Sequence, residues 1–230
     1  MTEVNTSIYS VLILSLVEGS SHDYNWNMEE HASSPKLKYS SIAISGRPGA
    51  GRSTLLKNLK EIVTPLGWET FSGGDWARQF ALQSGKHDEK DPTHHKATDY
   101  GDDVDLKIDV SLREKLSNPK THVALESWIA GWNMRGLPHV LRVLLMCDDA
   151  LRIDRIVNRD NISVEEAKRH LREREEANLG KWKRMYSVED FWDPKYYDLV
   201  LNTYSHGPKE TENLVLQALG YFSANGQKPA

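Results

Sequence analysis

The sequence predicts an α/β fold, a three-layer sandwich in which helices cover both faces of a five-stranded parallel sheet. Short apolar segments alternate five times with longer segments whose apolar residues follow a helical period. Two of the short segments, residues 122–126 and 140–147, are almost continuously apolar, as is typical of central parallel strands that are buried on both faces. A chain of 230 residues suits one such domain with insertions, and it is too short for two full-sized domains.

Each element can be justified in chain order by its apolar pattern and by the residues at its ends. The first predicted strand, 41–45, runs into a cluster of glycines, and the segment 54–63 that follows has apolar residues at helical spacing. The second strand, 69–72, ends at two glycines, after which Asp75 can cap another helix. Ser163 fits the first position of a capping box at the start of a long helix. The remaining predicted strands are 122–126, 140–147 and 197–202, and the remaining predicted helices are 98–116, 150–158, 163–183 and 210–221.

Residues 1–37 are predicted to form a flexible leader outside the compact domain, which we expect to cover residues 38–230. The apolar stretch 8–17 is only about half as long as the roughly 20 residues that span a bilayer, and no Lys or Arg precedes it as in a secretory signal. Residues 19–35 are polar and without a period, which is typical of a linker. We therefore expect a cytoplasmic protein without a membrane partner.

The charge and the cysteine content narrow the class of function. Lys and Arg number 29 against 33 Asp and Glu, a formal net charge of −4, so a chain-wide basic surface is excluded and no nucleic-acid partner is expected. The single cysteine, Cys147, excludes an intramolecular disulfide framework and a Cys-rich zinc site, and it fits a reducing cytosol.

A glycine-rich segment between the first strand and its helix fits a phosphate-binding loop. Residues 46–53 read Gly-Arg-Pro-Gly-Ala-Gly-Arg-Ser, against the template G-x-x-x-x-G-K-[ST]. Glycines let backbone N–H groups turn toward a polyphosphate, and the helix N-terminus adds its positive end. Arg52 replaces the lysine of the template, and it is bulkier and planar although it keeps the charge. The same segment also fits an ordinary glycine-rich turn. The expected phosphate-binding residues are Gly46, Arg47, Pro48, Gly49, Ala50, Gly51, Arg52, Ser53 and Thr54.

Several segments, taken in order, resemble the P-loop nucleoside monophosphate kinases, and most closely the archaeal-type cytidylate kinase family. The resemblance implies transfer of the γ-phosphoryl group of ATP, with Mg²⁺, to a nucleoside monophosphate, most of all CMP or dCMP. It also implies an acceptor-binding insertion at about 75–118, a lid at about 158–186, and a monomer or weak homodimer. The segments that carry it are 42–51, 71–75 with Arg78, 125–126 followed by 130–132, the Arg-rich stretch 152–186, and 197–203.

The resemblance implies roles for individual residues. Arg52 would act on the transferring group together with the rest of the loop, and Thr203 would border the adenine of ATP. Ser53 and Glu126 would hold Mg²⁺. The lid arginines that neutralise charge during transfer would be Arg155, Arg159, Arg172 and Arg174. The residues that bind the acceptor would be Asp75, Arg78, Asp105, Asp109 and Trp128.

Two departures from the family pattern leave two alternatives open. Ser127 and Trp128 stand where the family commonly carries a Gly-Arg pair, which favours a kinase of another small acceptor on the same scaffold. Arg52 in place of the loop lysine favours a nucleotide-binding regulator with weak or no turnover. Trp128 also fits core packing, and the glutamates between the lid arginines also fit a solvated helix face.

Overall fold

In the computed structural model, which describes residues 37–76 and 101–221, five parallel strands form one sheet in the order β2-β3-β1-β4-β5. All four neighbouring pairs are parallel, so the predicted α/β class is confirmed. Every predicted strand differs from the observed one by at most two residues at either end. The strands are β1 (Ser41–Gly46), β2 (Glu69–Ser72), β3 (Val123–Glu126), β4 (Val140–Met146) and β5 (Leu199–Asn202).

Six helices that the structure describes from end to end connect and cover these strands, and residues 73–76 are also helical. The predicted helix 54–63 begins two residues earlier, at Arg52, and the predicted helix 210–221 spans Pro208–Leu219. One short helix, Ala130–Asn133, was not predicted, because four residues are too few to show a period. The helices are α1 (Arg52–Val63), α2 (Asp102–Ser117), α3 (Ala130–Asn133), α4 (Asp149–Asp160), α5 (Val164–Tyr186) and α6 (Pro208–Leu219).

The central strand β1 separates two apolar layers, as its alternating side chains require. Ile42 and Ile44 pack with α1 and α6 on one face, where the core includes Leu59 and Leu216. Ala43 packs on the other face with residues of α2 and α3. The predicted three-layer sandwich is therefore confirmed.

The helix α5 belongs to two different clusters along its length. Its first half packs on α4, through Ala167 and Leu171 against Ile156. Its second half is built into the body of the domain, where Trp182 packs in an aromatic cluster with Phe191. None of the described helices is long and apolar enough to cross a membrane. The predicted leader lies outside the described residues except for its last residue, Leu37, which packs on the core.

The sheet register places the ends of β2 and β3 level with each other, next to the last residues of β1. Glu126, the last residue of β3, is in register with Ile44 of β1 and with Ser72 at the end of β2. Because ligands of open α/β sheets bind beyond the carboxyl ends of the strands, this edge is where a site is expected.

Candidate active site

The loop between β1 and α1 has a backbone that requires glycine. Gly46 and Gly49 have φ of 155° and 79°. A Cβ at Gly46 would lie 2.7 Å from the carbonyl oxygen of Leu145, and one at Gly49 would lie 2.9 Å from that of Arg152. α1 begins directly after the loop, at Arg52, so its first N–H groups and the positive end of its dipole stand at the loop. This is the backbone arrangement of an anion-binding loop.

Two arginines of α4 hold this loop from outside. The Nε of Arg152 donates to the carbonyl of Pro48 at 2.7 Å, and Nη1 of Arg155 donates to that of Gly49 at 3.0 Å. Arg155 also donates to the hydroxyl and the carbonyl of Thr203, at 3.1 and 2.8 Å. Because bonds from a charged donor are stronger than neutral ones, the two guanidinium groups fix the shape of the loop. Arg155 is thus committed to protein oxygens, whereas its predicted role is on phosphate.

Glu126 joins the loop to the sheet at the carboxyl edge. Its side chain is nearly inaccessible, and its Oε1 accepts hydrogen bonds from Ser72 at 2.7 Å and from Ser53 at 3.4 Å. Nη1 of Arg52 lies 2.9 Å from Oε2 without a well-aligned hydrogen bond. Burial lowers the pKa of Arg52, and the charge of Glu126 opposes that effect.

The carboxylate of Glu126 and the hydroxyl of Ser53 are oxygen donors of the type that binds Mg²⁺. Within the described ranges no group of three or more His, Cys, Asp or Glu side chains could hold a metal. The hydroxyl of Ser53 and the carboxylate of Glu126, 3.4 Å apart, fit an ion that draws its other ligands from phosphate and water, as Mg²⁺ usually does.

A cavity of about 690 Å³ opens beside the loop. Its volume lies within the range of small-molecule sites, roughly 300–1,000 Å³. Trp128 and Arg174 line it opposite the loop. Among the residues predicted to bind ATP or Mg²⁺, those that line it are Pro48, Gly49, Gly51, Arg52, Ser53, Thr54, Glu126 and Thr203.

A second, smaller cavity of about 120 Å³ adjoins the first. The two cavities share Gly74, Trp128 and Arg174. The walls of the smaller one are largely apolar and aromatic, with the carboxyl groups of Asp105 and Asp109 on one side. Three of the residues predicted to bind the acceptor, Asp105, Asp109 and Trp128, thus meet at one cavity.

The two carboxyl groups of α2 are both held by side chains of α5. Nζ of Lys181 lies 2.7 Å from Oδ2 of Asp105, and the hydroxyl of Tyr186 donates to Oδ2 of Asp109. Burial raises the pKa of Asp105, and it raises the pKa of Asp109 to about 7, although the bond from Tyr186 opposes this shift. The pKa of Tyr186 is raised as well, by burial and by the neighbouring carboxyl groups.

The sequence of this protein, compared with known proteins, now places it in a family. Residues 41–205 match the cytidylate kinase-like family.

The chain belongs to the cytidylate kinase-like family.

Two relatives agree with this family, and a solved structure agrees with the fold. A cytidylate kinase of Haloarcula marismortui is 33% identical over 188 residues, which cover 81% of this chain and 93% of that protein. A cytidylate kinase of Natronomonas pharaonis is 32% identical over 192 residues, which cover 82% of this chain and 95% of that protein. The crystal structure of an uncharacterized protein from Eubacterium ventriosum covers 78% of this chain and 97% of its own, with a TM-score of 0.57 at 16% identity, which supports the fold. The predicted family and the predicted enzyme class, a nucleoside monophosphate kinase, are confirmed.

Four other residues predicted from the family pattern differ in where they lie. Asp75 and Arg172 are exposed, and neither cavity, as bounded by the described residues, includes them. Arg78 lies outside the described residues. Arg159 lines the larger cavity but is ion-paired with Asp160 at 2.7 Å.

A contact between the loop and α5 was missed from the sequence. Arg47 of the loop is directed away from the cavity, with its Nη1 at 3.2 Å from Glu175 and its guanidinium over the ring of Trp192. Glu175 also pairs with the buried Arg152. The sequence carries no signal for these partners beyond the presence of charged residues on both segments, because they lie more than 20 residues apart.

Proposed function

We propose that this family member transfers the γ-phosphoryl group of ATP, with Mg²⁺, to a pyrimidine nucleoside monophosphate, with CMP or dCMP as the acceptor. The observation that carries the proposal is the single-ring-sized cavity bearing Asp105 and Asp109 that opens into the cavity of the phosphate loop. The family match and the curated relatives named cytidylate kinase support the same acceptor.

The larger cavity would hold ATP. The loop would bind the polyphosphate through its N–H groups and through Arg52, as in other P-loop kinases. Thr203 is buried, donates its hydroxyl to the carbonyl of Ala50 at 3.0 Å and lines the same cavity, so it would limit the space on the side of the base.

The smaller cavity would hold the base of the acceptor. An apolar cavity of about 150 Å³ in another protein takes up benzene, so a cavity of about 120 Å³ suits one six-membered ring better than the two fused rings of a purine. Phe71, Trp76 and Trp128 give it flat apolar walls for such a ring. Asp109 would accept a hydrogen bond from an exocyclic amino group, which cytosine has and uracil lacks.

Residues of the larger cavity would position the reacting groups. ATP with Mg²⁺ would supply the phosphoryl group and a divalent charge that draws its oxygens together. Ser53 and Glu126 would hold the ion, and Arg52 and Arg174 would offset negative charge between the two phosphate groups. A monophosphate oxygen attacks as an anion, so no side chain needs to remove a proton from it.

We also propose an acceptor-binding insertion at about 75–118 and a lid that is shorter than the 158–186 predicted. The second half of α5 supports this limit, because Trp182 is buried in the aromatic cluster with Phe191. Closure over the phosphates would then involve the first half of α5, which packs on α4.

A coupled ADP-release assay with ATP and Mg²⁺ tests the acceptor against a panel of CMP, dCMP, UMP, AMP and GMP. We expect the highest kcat/KM for CMP or dCMP and the lowest for the purine monophosphates. Turnover confined to another acceptor would contradict the proposed base site while leaving the kinase class intact.

A second candidate, a nucleotide-binding regulator with weak or no turnover, is favoured by the ion pair between Arg52 and Glu126. The same panel distinguishes it, since ATP would then bind, as measured by calorimetry, without release of ADP for any acceptor.

A further inference from the structure

We propose that Tyr186 is a positioning residue of the acceptor cavity, because its hydroxyl holds one oxygen of Asp109 and leaves the other to bind the base. The inference rests on the proposed function, and it adds a residue that neither the family match nor the loop motif assigns. Tyr186 is the last residue of α5 and Asp109 lies in α2, so the bond joins two elements that are 77 residues apart in sequence.

Tyr186 is itself held in place by the aromatic cluster. The centroid of its ring lies 4.9 Å from that of Trp132 and 6.2 Å from that of Phe191. Opposite, Asp109 is fixed through its backbone, because Nδ2 of Asn133 donates to its carbonyl at 2.9 Å. With both ends fixed, the hydroxyl can set the orientation of the Asp109 carboxyl group.

The carboxyl groups of Asp105 and Asp109 differ in whether an oxygen remains able to bind a ligand. Oδ2 of Asp105 lies 2.7 Å from Nζ of Lys181, whose side chain is only 1% exposed, so this carboxylate is neutralised inside the protein. Tyr186 takes Oδ2 of Asp109, and Oδ1 accepts no hydrogen bond from any described residue. Asp109 therefore presents the cavity with an oxygen that can accept from the amino group of a cytosine ring.

The role of Tyr186 can be tested through the pH dependence of the reaction, because its hydroxyl affects the pKa of Asp109. Burial raises the pKa of Asp109 to about 7, and the hydrogen bond from Tyr186 lowers it against that trend. Loss of the hydroxyl therefore moves the pKa of Asp109 further upward. The charged and titratable groups around this pair are Asp105, Lys181, Tyr186, Arg135 and Arg174.

The test compares Tyr186→Phe with the unaltered protein by steady-state kinetics against CMP and UMP over a range of pH. Because the phenyl ring keeps its packing, we expect an unchanged KM for ATP and a kcat/KM for CMP lowered about tenfold at neutral pH. The CMP/UMP ratio should fall, and the rise of kcat/KM with pH should move to higher pH. The control is Tyr196→Phe, which removes a hydroxyl in the same aromatic cluster without contact to Asp109.

A double-mutant cycle with Asp109→Asn separates positioning from general damage. If Tyr186 acts through Asp109, the substitution Tyr186→Phe has little further effect on the CMP/UMP ratio in the Asp109→Asn background. Equal effects in both backgrounds, or a pH profile that does not move, would overturn the role of Tyr186 while the unaltered enzyme still phosphorylates CMP. An unaltered protein without turnover on CMP, dCMP or UMP would instead overturn the proposed function, and this inference with it.

Discussion

The guanidinium of Arg52 and the carboxylate of Glu126 form an ion pair of 2.9 Å at the floor of the larger cavity. The pair joins the residue that replaces the loop lysine to the residue that ends β3, and both side chains are largely inaccessible. Taking two charges out of water is costly unless they compensate each other, so each of these groups requires the other. The substitution of arginine for lysine is thus accommodated by a specific partner.

This pair leads to a prediction for Arg52. We expect Arg52→Met, which keeps bulk but not charge, to lower kcat with CMP about 100-fold, because a cation is lost where phosphate charge develops. Arg52→Lys restores the residue of the loop template and should stay within about tenfold of the unaltered enzyme. Steady-state kinetics, with thermal unfolding to verify that each variant is folded, measures both effects. Full turnover by a folded Arg52→Met variant would remove this residue from the mechanism.

Gly49 of the loop leads to a prediction for which Gly67 is the matched control. The comparison separates the cost of the left-handed backbone from the cost of a steric contact. Gly49 and Gly67 have nearly the same φ, 79° and 80°, but a Cβ at Gly49 would lie 2.9 Å from the Arg152 carbonyl, whereas one at Gly67 meets nothing within 4 Å. We expect Gly67→Ala to lower the free energy of unfolding by about 1–2 kcal/mol, the cost of the left-handed backbone alone. Gly49→Ala should cost about 3 kcal/mol or more and raise the KM for ATP.

Urea denaturation and ATP kinetics on the two glycine variants check this difference. If Gly49→Ala and Gly67→Ala lost equal stability and bound ATP equally well, the close approach of Arg152 to the loop would have no role.

The size of the smaller cavity predicts the effect of Trp128. Its ring lines both cavities and meets the ring of Trp182 edge to face. Trp128→Ala should enlarge the acceptor site, lower kcat/KM for CMP at least about tenfold through lost ring contact, and raise the AMP/CMP ratio. Kinetics with both acceptors measures the ratio. A ratio that stays the same would mean that cavity volume does not exclude purines.

The pKa of Asp109 predicts a pH-dependent difference in stability. Burial raises this pKa to about 7, so between about pH 4 and pH 7 the folded protein keeps a proton that the unfolded chain has released. The unfolded state is then favoured progressively as the pH rises through this window. Asp109→Asn removes the effect, and its free energy of unfolding relative to the unaltered protein should rise by roughly 3 kcal/mol from pH 4 to pH 8.

Urea denaturation at several pH values measures this difference. Asp154→Asn, at an exposed position of α4, serves as the control and should show no comparable trend. A difference for Asp109→Asn that is constant with pH would show that folding does not shift the pKa of this carboxyl group.

The sequence was sufficient for features that depend on neighbouring residues. Alternation and helical period are local patterns, so all five strands were located to within two residues. The glycine loop was found because its positive φ angles require glycine at fixed positions in the sequence. The short helix Ala130–Asn133 was missed because it is shorter than the window in which a period can be read. The hydrogen bonds from Arg155 to the loop and to Thr203 were not foreseen either, since a basic residue gives no sign of which carbonyl of the same chain it will bind.

The sequence by itself thus determined the layered α/β fold, the phosphate loop with its arginine, and the family of the protein. Only the tertiary structure decided that Lys181 pairs with Asp105, that Tyr186 binds Asp109, and that the two aspartates line one cavity of about 120 Å³. The physical reason is distance along the chain. Partners more than 70 residues apart are brought together by the packing of α5 against α2, and the volume they enclose depends on side chains from several elements at once.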